Sequence, residues 1–359
     1  LQTNIFGFIP YDCNSLTECW VGFDFISFDP VIYGSKVTWI YNTSSGFFSS
    51  PTCLIASIIE RPSISPTVPL MLEREGLGRA VCNLLRLDNY VPDNTEWQEM
   101  IDKIENIDGK DVNVAIVGKY TKLEDSYISV IESLTHAGYA NNVKVKIDLI
   151  DSEMINEENV GDKLKKYNGI VVPGGFGNRG IEGMIATIKY ARENNIPFLG
   201  ICLGMQMTVV EFARNVLKLD NVNSEEFEKN ARNKVIHIMD EQKDITKKGG
   251  TMRLGSYPCV LKENSKVKEL YGKENILERH RHRFEYNNKY REELEKAGLI
   301  CSGVSPNGKL VEIVEYKNHP FFVGVQFHPE LKSRPNRPAP VFVRTNKSSK
   351  RKIKIVLKI

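Results

Sequence analysis

Residues 197–206 read PFLGICLGMQ, and the turn at their centre decides the fold. The apolar run IPFLGI has the look of a short buried strand, and MQMTVVEFARNVLK behind it carries apolar residues at helical spacing. Between them stands Gly200-Ile201-Cys202-Leu203-Gly204, a nucleophilic side chain with glycine two positions away on each side. That spacing suits a sharp strand-to-helix elbow: the central residue is held in a strained conformation, and side chains at its second neighbours would collide with the adjoining strand and helix. At the N-terminus of the following helix the partial positive charge favours thiolate over thiol, and the Leu203 amide would face an oxyanion formed on an attacked carbonyl. Cysteine is also a common space-filling core residue, so the surroundings must decide between the two readings.

Working outward, strand-like and helix-like runs alternate at short intervals. VNVAIVG (112–118), VKVKIDLI (143–150) and NGIVVPGG (168–175) read as strands, with EDSYISVIESLTHAG and GIEGMIATIKYAREN as the helices around them. Such alternation needs crossover connections, hence a mostly parallel sheet covered on both faces. The fold expected is α/β, doubly wound, and the shorter pieces KVIHIM, VEIVEY and FFVGVQF after Phe227 predict an antiparallel extension of it. Upstream, residues 68–110 are helical in pattern, with Asp93 to Glu96 resembling a capping box. Residues 1–67, rich in Phe, Ser, Tyr and Cys, give no readable periodicity and are left unassigned; 111–343 form the α/β domain; 344–359 are a basic tail.

The chain has 359 residues, 41% hydrophobic and 26% charged, with a net charge of +3. That balance gives no basis for nucleic-acid binding. No apolar run approaches the roughly 20 residues of a membrane helix, and the opening LQTNIFGFIP lacks a basic n-region, so no membrane and a cytoplasmic location are expected. The chain opens with Leu1, as a fragment, a processed product or an imperfect gene model would. Seven cysteines without CxxC pairing argue against a disulfide framework or zinc site, and no metal is expected. The run Arg279-His280-Arg281-His282-Arg283, if extended, would put arginines on one face and histidines on the other.

A thiolate needs a base. His328, in VGVQFHPELKS, follows an apolar strand and precedes Glu330 by two positions, with Pro329 stiffening the link, so the carboxylate could orient the imidazole. His136, His237 and His319 lack a carboxylate placed in that way and are expected to be structural, as are Cys259 and Cys301. In VVPGGFGNRG a strand ends in bare glycine amides, at the edge where open α/β sheets put ligands; Gly175 and Leu203 are the candidate oxyanion hole.

Taken together, GICLGMQ, PGGFGNRG and QFHPE resemble the class I glutamine amidotransferase family, and GTMRLG (250–255), NVNSEEF (221–227), RHRHRFE (279–285) and VGKY (117–120) are similar to its CTP synthase branch. The resemblance covers about Val68 to Val341. It implies a flavodoxin-like fold and a triad of Cys202, His328 and Glu330 that hydrolyses L-glutamine through a glutamyl thioester. It implies glutamine contacts from Gly174, Leu203, Gly204, Met205, Gln206, Glu226 and Arg283; a guanidinium suits the α-carboxylate and a carboxylate the α-ammonium group. Residues 68–110 would be the end of a synthetase domain that binds UTP, ATP and Mg²⁺, answers to GTP as effector, and assembles as a homo-oligomer. Nothing in residues 1–67 resembles that domain's nucleotide-binding segments, so no cofactor is expected in this chain, whose own activity would be glutaminase. An inert remnant acting as an interaction module is the competing reading.

Overall fold

The structure is a computed structural model that describes residues 18–21, 24–33, 36–41, 66–87, 91–239 and 252–345. Contacts divide the chain into two compact units, Leu1–Asp102 and Lys103–Ile359. In the first, β1 (Glu18–Val21), β2 (Asp24–Tyr33) and β3 (Lys36–Tyr41) form an antiparallel sheet in that order. Helices α1 (Val68–Arg74) and α2 (Leu77–Leu84) are separated by Gly76, whose φ of 83° is a left-handed turn suited to glycine. Apart from residues 66 and 67, the rest of the unassigned stretch 1–67 lies outside the described residues, as do Gly250 and Thr251 of GTMRLG and the basic tail from 346. Helix α3 (Thr95–Glu105) starts one residue later than a capping box on Asp93 would place it, the Asp93 carboxylate accepting the Thr95 amide at 3.1 Å.

The second unit begins β4 (Val112–Gly118), α4 (Ile128–Asn141), β5 (Val145–Asp151), α5 (Val160–Leu164), β6 (Gly169–Val172), α6 (Ile181–Glu193), β7 (Phe198–Ile201) and α7 (Leu203–Asn215). It continues through β8 (Val222–Ser224), β9 (Asn233–Ile238), β10 (Arg253–Leu261), α8 (Lys266–Tyr271), β11 (Asn275–His282), β12 (Phe284–Tyr286), α9 (Arg291–Lys296), β13 (Leu299–Val304), β14 (Val311–Tyr316) and β15 (Phe322–Val325). The main sheet has nine strands in the order β11-β10-β13-β14-β15-β7-β6-β4-β5. From β15 to β5 every pairing is parallel, and from β15 outward to β11 every pairing is antiparallel. The expected doubly wound sheet with an antiparallel extension is therefore present, and a small sheet β12-β9-β8 stands beside it.

Burial explains the two halves. Strands β6, β7 and β15 are buried at every residue, as parallel strands covered by helices on both faces must be, and their sequences are unbroken apolar runs. Strand β11 alternates exposed and buried at every step. Its arginines 279 and 281 are exposed and its histidines 280 and 282 buried, the two-faced arrangement expected of an extended RHRHR run. Cores lie on both faces of the main sheet. One gathers α6 and α7 with Ile170, Val172 and Phe198; the other gathers α4 with Val171, Leu199 and Ile201. A last helical stretch over 340–345 follows β15, and Val341 and Phe342 are fully buried in the second core.

Candidate active site

The elbow is as tight as the glycines demand. Cys202 has φ 51° and ψ −99°, a left-handed φ that a residue with a side chain adopts only under constraint. A Cβ on Gly204 would stand 2.0 Å from the Val172 carbonyl oxygen, and one on Gly200 would stand 2.7 Å from the Gly204 carbonyl carbon. Neither contact can be relieved without moving backbone, which is why both positions are glycine. The Cys202 amide donates to the Val325 carbonyl at 2.7 Å, fastening the elbow to the neighbouring parallel strand β15. The first-turn amides of α7, Leu203 among them, have no intrahelical acceptor, as at any helix start.

Three strand ends converge here. Beyond β15, the Nδ1 of His328 and the Oε1 of Glu330 are 2.7 Å apart, both side chains largely buried. The His328 amide donates to the Arg279 carbonyl at 2.7 Å, holding the ring's backbone to the antiparallel edge. Beyond β6, a Cβ on Gly174 would lie 3.0 Å from His328 Cε1 and 3.6 Å from Cys202 Cβ, so this glycine stands against both. Gly175 is next to Leu203, whose Cδ2 would be 3.3 Å from an added Cβ. Nε2 of His328 is buried without a hydrogen-bond partner among the described residues. Burial alone would lower this imidazole, but interaction with Cys202, reinforced by Glu330, outweighs it and pushes the ring up to about 10. His328 therefore holds its proton at neutral pH.

The other expected contacts fall as follows. Gln206 is buried, its Nε2 donating to the Phe284 carbonyl at 3.0 Å and to Gln326 Oε1 at 3.3 Å. Glu226 accepts the Gly177 amide at 3.3 Å, which brings it to the glycine loop after β6. Arg283 is half-buried at the passage from β11 to β12, and its carbonyl accepts the Met239 amide. The Arg281 carbonyl, two positions earlier, is 3.9 Å from Cys202 Sγ. Met205 belongs to the hydrophobic core, its Cα and Cβ within 3.1 Å of where a Gly324 side chain would begin. Gly204 is pressed on Val172. What these two residues can offer a ligand is backbone.

Several features escape sequence reading. Lys119, in VGKY, is buried, and its ammonium donates to the carbonyls of Phe176 and Gly177 in the glycine loop. Burial pulls this amine down to about 8, opposed by the negative charge of Glu226. Gln326 donates from Nε2 to Cys202 Sγ at 3.7 Å. Its position two residues before His328 is the one signal that could have marked it, since alternate residues of an extended strand share a face. Two histidines expected to lack a placed carboxylate do have one in space: His237 faces Glu285 and His136 faces Glu132, each at 3.7 Å. Glu285 comes from the partner strand and Glu132 from the preceding helical turn, so HPE-like adjacency misses both. Neither has the short bond of His328.

A buried group of His280, His282 and Glu312 also has ligand-type atoms within 4.8 Å of one another. Arg253 supplies a cation there, Nη1 lying 2.8 Å from Glu312 Oε1 and 3.4 Å from His280 Nδ1. Burial, then Arg253, keeps His282 down at about 3, so this pair of histidines is neutral. Cys259 and Cys301 are fully buried, and burial raises both thiols, the latter to about 12.

A thiol on a strained elbow, helix-start amides beside it and a carboxylate-held imidazole across from it are the groups that cysteine acyl-transfer chemistry requires. The chain belongs to the class I glutamine amidotransferases, whose family model matches residues 122–347. Within that class it sits with the glutaminase domains of CTP synthases. It is 57% identical to the CTP synthase of Clostridium kluyveri over 275 residues, covering 77% of this chain and 51% of that one. Against the Bacillus velezensis enzyme it is 50% identical over 276 residues, again 77% and 51%. Among solved structures, the glutaminase domain of Trypanosoma brucei CTPS with bound acivicin matches with a TM-score of 0.63 and 40% identity, covering 67% of this chain and 94% of that one. The chain spans about half the length of the curated relatives it matches.

Proposed function

We propose that this chain hydrolyses L-glutamine to glutamate and ammonia as the glutaminase part of a CTP synthase. Cys202 Sγ attacks the side-chain carboxamide carbon, and the amides of Gly175 and Leu203 receive the oxyanion. The C–N bond breaks as His328 gives its proton to the leaving nitrogen, and the C–S bond of a glutamyl thioester remains. His328 then takes a proton from water, whose oxygen displaces the sulfur to give glutamate. Glu330 keeps the ring oriented and favours its charged form. Gly174, Gln206, Glu226 and Arg283 hold the amino acid, the last two on its ammonium and carboxylate groups.

The observation that carries the reading is the 2.7 Å His328–Glu330 bond at the end of β15, with Cys202 tied by its amide to that same strand. Ammonia would serve an ATP- and Mg²⁺-dependent amination of UTP to CTP, performed by a synthetase portion outside this chain, with GTP as effector, in a homo-oligomer in the cytoplasm. Without that portion the chain's turnover should be slow and uncoupled. No described helix is long and apolar enough to cross a membrane. The inert-module alternative is not favoured. The test is ammonia release from glutamine by the purified chain beside Cys202→Ala, with labelling by a glutamine-like diazo ketone. Equal release from both, and no label on Cys202, would end the proposal.

A further inference from the structure

We infer that Gln326 is a positioning residue for the nucleophile: its side-chain amide presents an N–H to Cys202 Sγ, and its orientation is dictated by Gln206. The inference rests on the glutaminase reading, since it assigns Cys202 as the reacting group.

The orientation follows from a chain of donors and acceptors that starts at a backbone carbonyl. Phe284 O can only accept, so the Gln206 group 3.0 Å from it is the amide nitrogen. That nitrogen has a second hydrogen, and its other neighbour is one end of the Gln326 amide at 3.3 Å. Two NH₂ groups facing each other would leave a buried hydrogen unpaired, so Gln326 turns its oxygen toward Gln206. Its nitrogen then faces Cys202 Sγ, 3.7 Å away. The Gln326 backbone is itself fixed, its amide donating to the Glu312 carbonyl at 2.8 Å, and the residue is 1% exposed.

Apart from His328, the sulfur lies between one donor and one acceptor. A protonated thiol can donate to the Arg281 carbonyl at 3.9 Å, whereas a thiolate can only accept, and Gln326 offers it a donor besides His328. Gln326 therefore favours the charged sulfur and draws it to one side of the pocket, while His328 stands on another. The amide acts on the nucleophile's charge state and rotamer, with no proton transfer of its own.

The experiment reads iodoacetamide alkylation of Cys202 in the full chain as a function of pH, by mass spectrometry of the Cys202 peptide, for wild type, Gln326→Met and Gln326→Glu. Methionine keeps the length and removes the donor. Glutamate keeps the acceptor for Gln206 and replaces the donor by a second acceptor. With Gln326→Met the ratio of the rate at pH 6 to that at pH 9 is expected to fall about three- to tenfold, and with Gln326→Glu further still. A purely structural role predicts the reverse order, because glutamate preserves the bond to Gln206. Ratios equal to wild type in both variants, or a milder effect for Gln326→Glu, would overturn the inference, and should Gln326→Met not fold, Gln326→Glu decides alone. Alkylation needs no turnover: overlapping ratios in a chain that releases ammonia sink this inference alone, whereas absent ammonia release with the expected order of ratios sinks only the glutaminase reading.

Discussion

The amide of Cys202 donates to the carbonyl of Val325 at 2.7 Å, so the backbone of the proposed nucleophile is bonded to the last residue of β15, just ahead of His328. The proposed base and nucleophile are registered by sheet pairing, Ile201 lying opposite Val325, rather than by side-chain contact alone. Sheet pairing resists distortion better than a pair of flexible side chains, which suits a site whose geometry must hold within fractions of an ångström.

The charge on His328 depends on Cys202. Its imidazole, ordinarily near 6.5, is raised to about 10, so the stability its proton contributes is complete below 6.5 and is lost as pH rises through 10. Cys202→Ala removes the stronger of the two groups that raise it, leaving Glu330 alone against burial. The expected outcome is an imidazole that titrates lower than in wild type, read from the His328 Cε1 proton in an NMR titration; an unmoved curve contradicts the assignment.

Glycine at 204 is required by the backbone of β6. With only 2.0 Å available between a new Cβ and the Val172 oxygen, Gly204→Ala must push α7 off the sheet. A loss of about 3 kcal/mol or more in chemical denaturation is expected, or failure to fold. Wild-type stability in that variant would mean the elbow is looser than described.

Helices α6 and α7 share a buried forked ion pair. Arg192 Nε lies 3.1 Å from both carboxylate oxygens of Glu211, and Nη2 2.8 Å from one of them, with Glu211 fully buried. Arg192→Met strands that carboxylate and should cost about 3 kcal/mol, while the double variant Arg192→Met, Glu211→Leu should return to within about 1 kcal/mol of wild type. Equal losses in single and double variants would show that packing, and not the uncompensated charge, is at stake.

Thiol reagents should discriminate sharply. Burial raises Cys259 and Cys301 and encloses them, so brief iodoacetamide treatment of the native chain near neutral pH is expected to modify Cys202 well ahead of either, the three peptides being compared by mass spectrometry. Comparable labelling of all three would deny Cys202 any special reactivity.

The parallel half of the sheet was readable because burial on both faces leaves an unbroken apolar run. VNVAIVG coincides with β4 to the residue; in the antiparallel half VEIVEY likewise coincides with β14. Strands β10 and β11 were harder. Gly255 and Pro258 interrupt the first, and the buried face of the second carries Glu278, His280 and His282, which hydropathy reads as surface. Those side chains are inside because the structure gives them Tyr271, Glu312, Arg253 and the Phe284 carbonyl as partners. The cysteine elbow and the HPE pair were legible from local spacing. Gln326 was not, since a glutamine's role depends on which atom faces the sulfur, and that is set by Phe284, far along the chain.

Gln326 follows Cys202 by 124 positions, and Val325 and His328 are its close neighbours. During synthesis, then, the thiol and the helix start beside it emerge long before the amide and imidazole proposed to act on that sulfur. A chain halted ahead of β15 would lack both, and on the proposed reading such a nascent or prematurely terminated chain would shed no ammonia. The proposed site is completed late, when the last parallel strand slides in beside its neighbour.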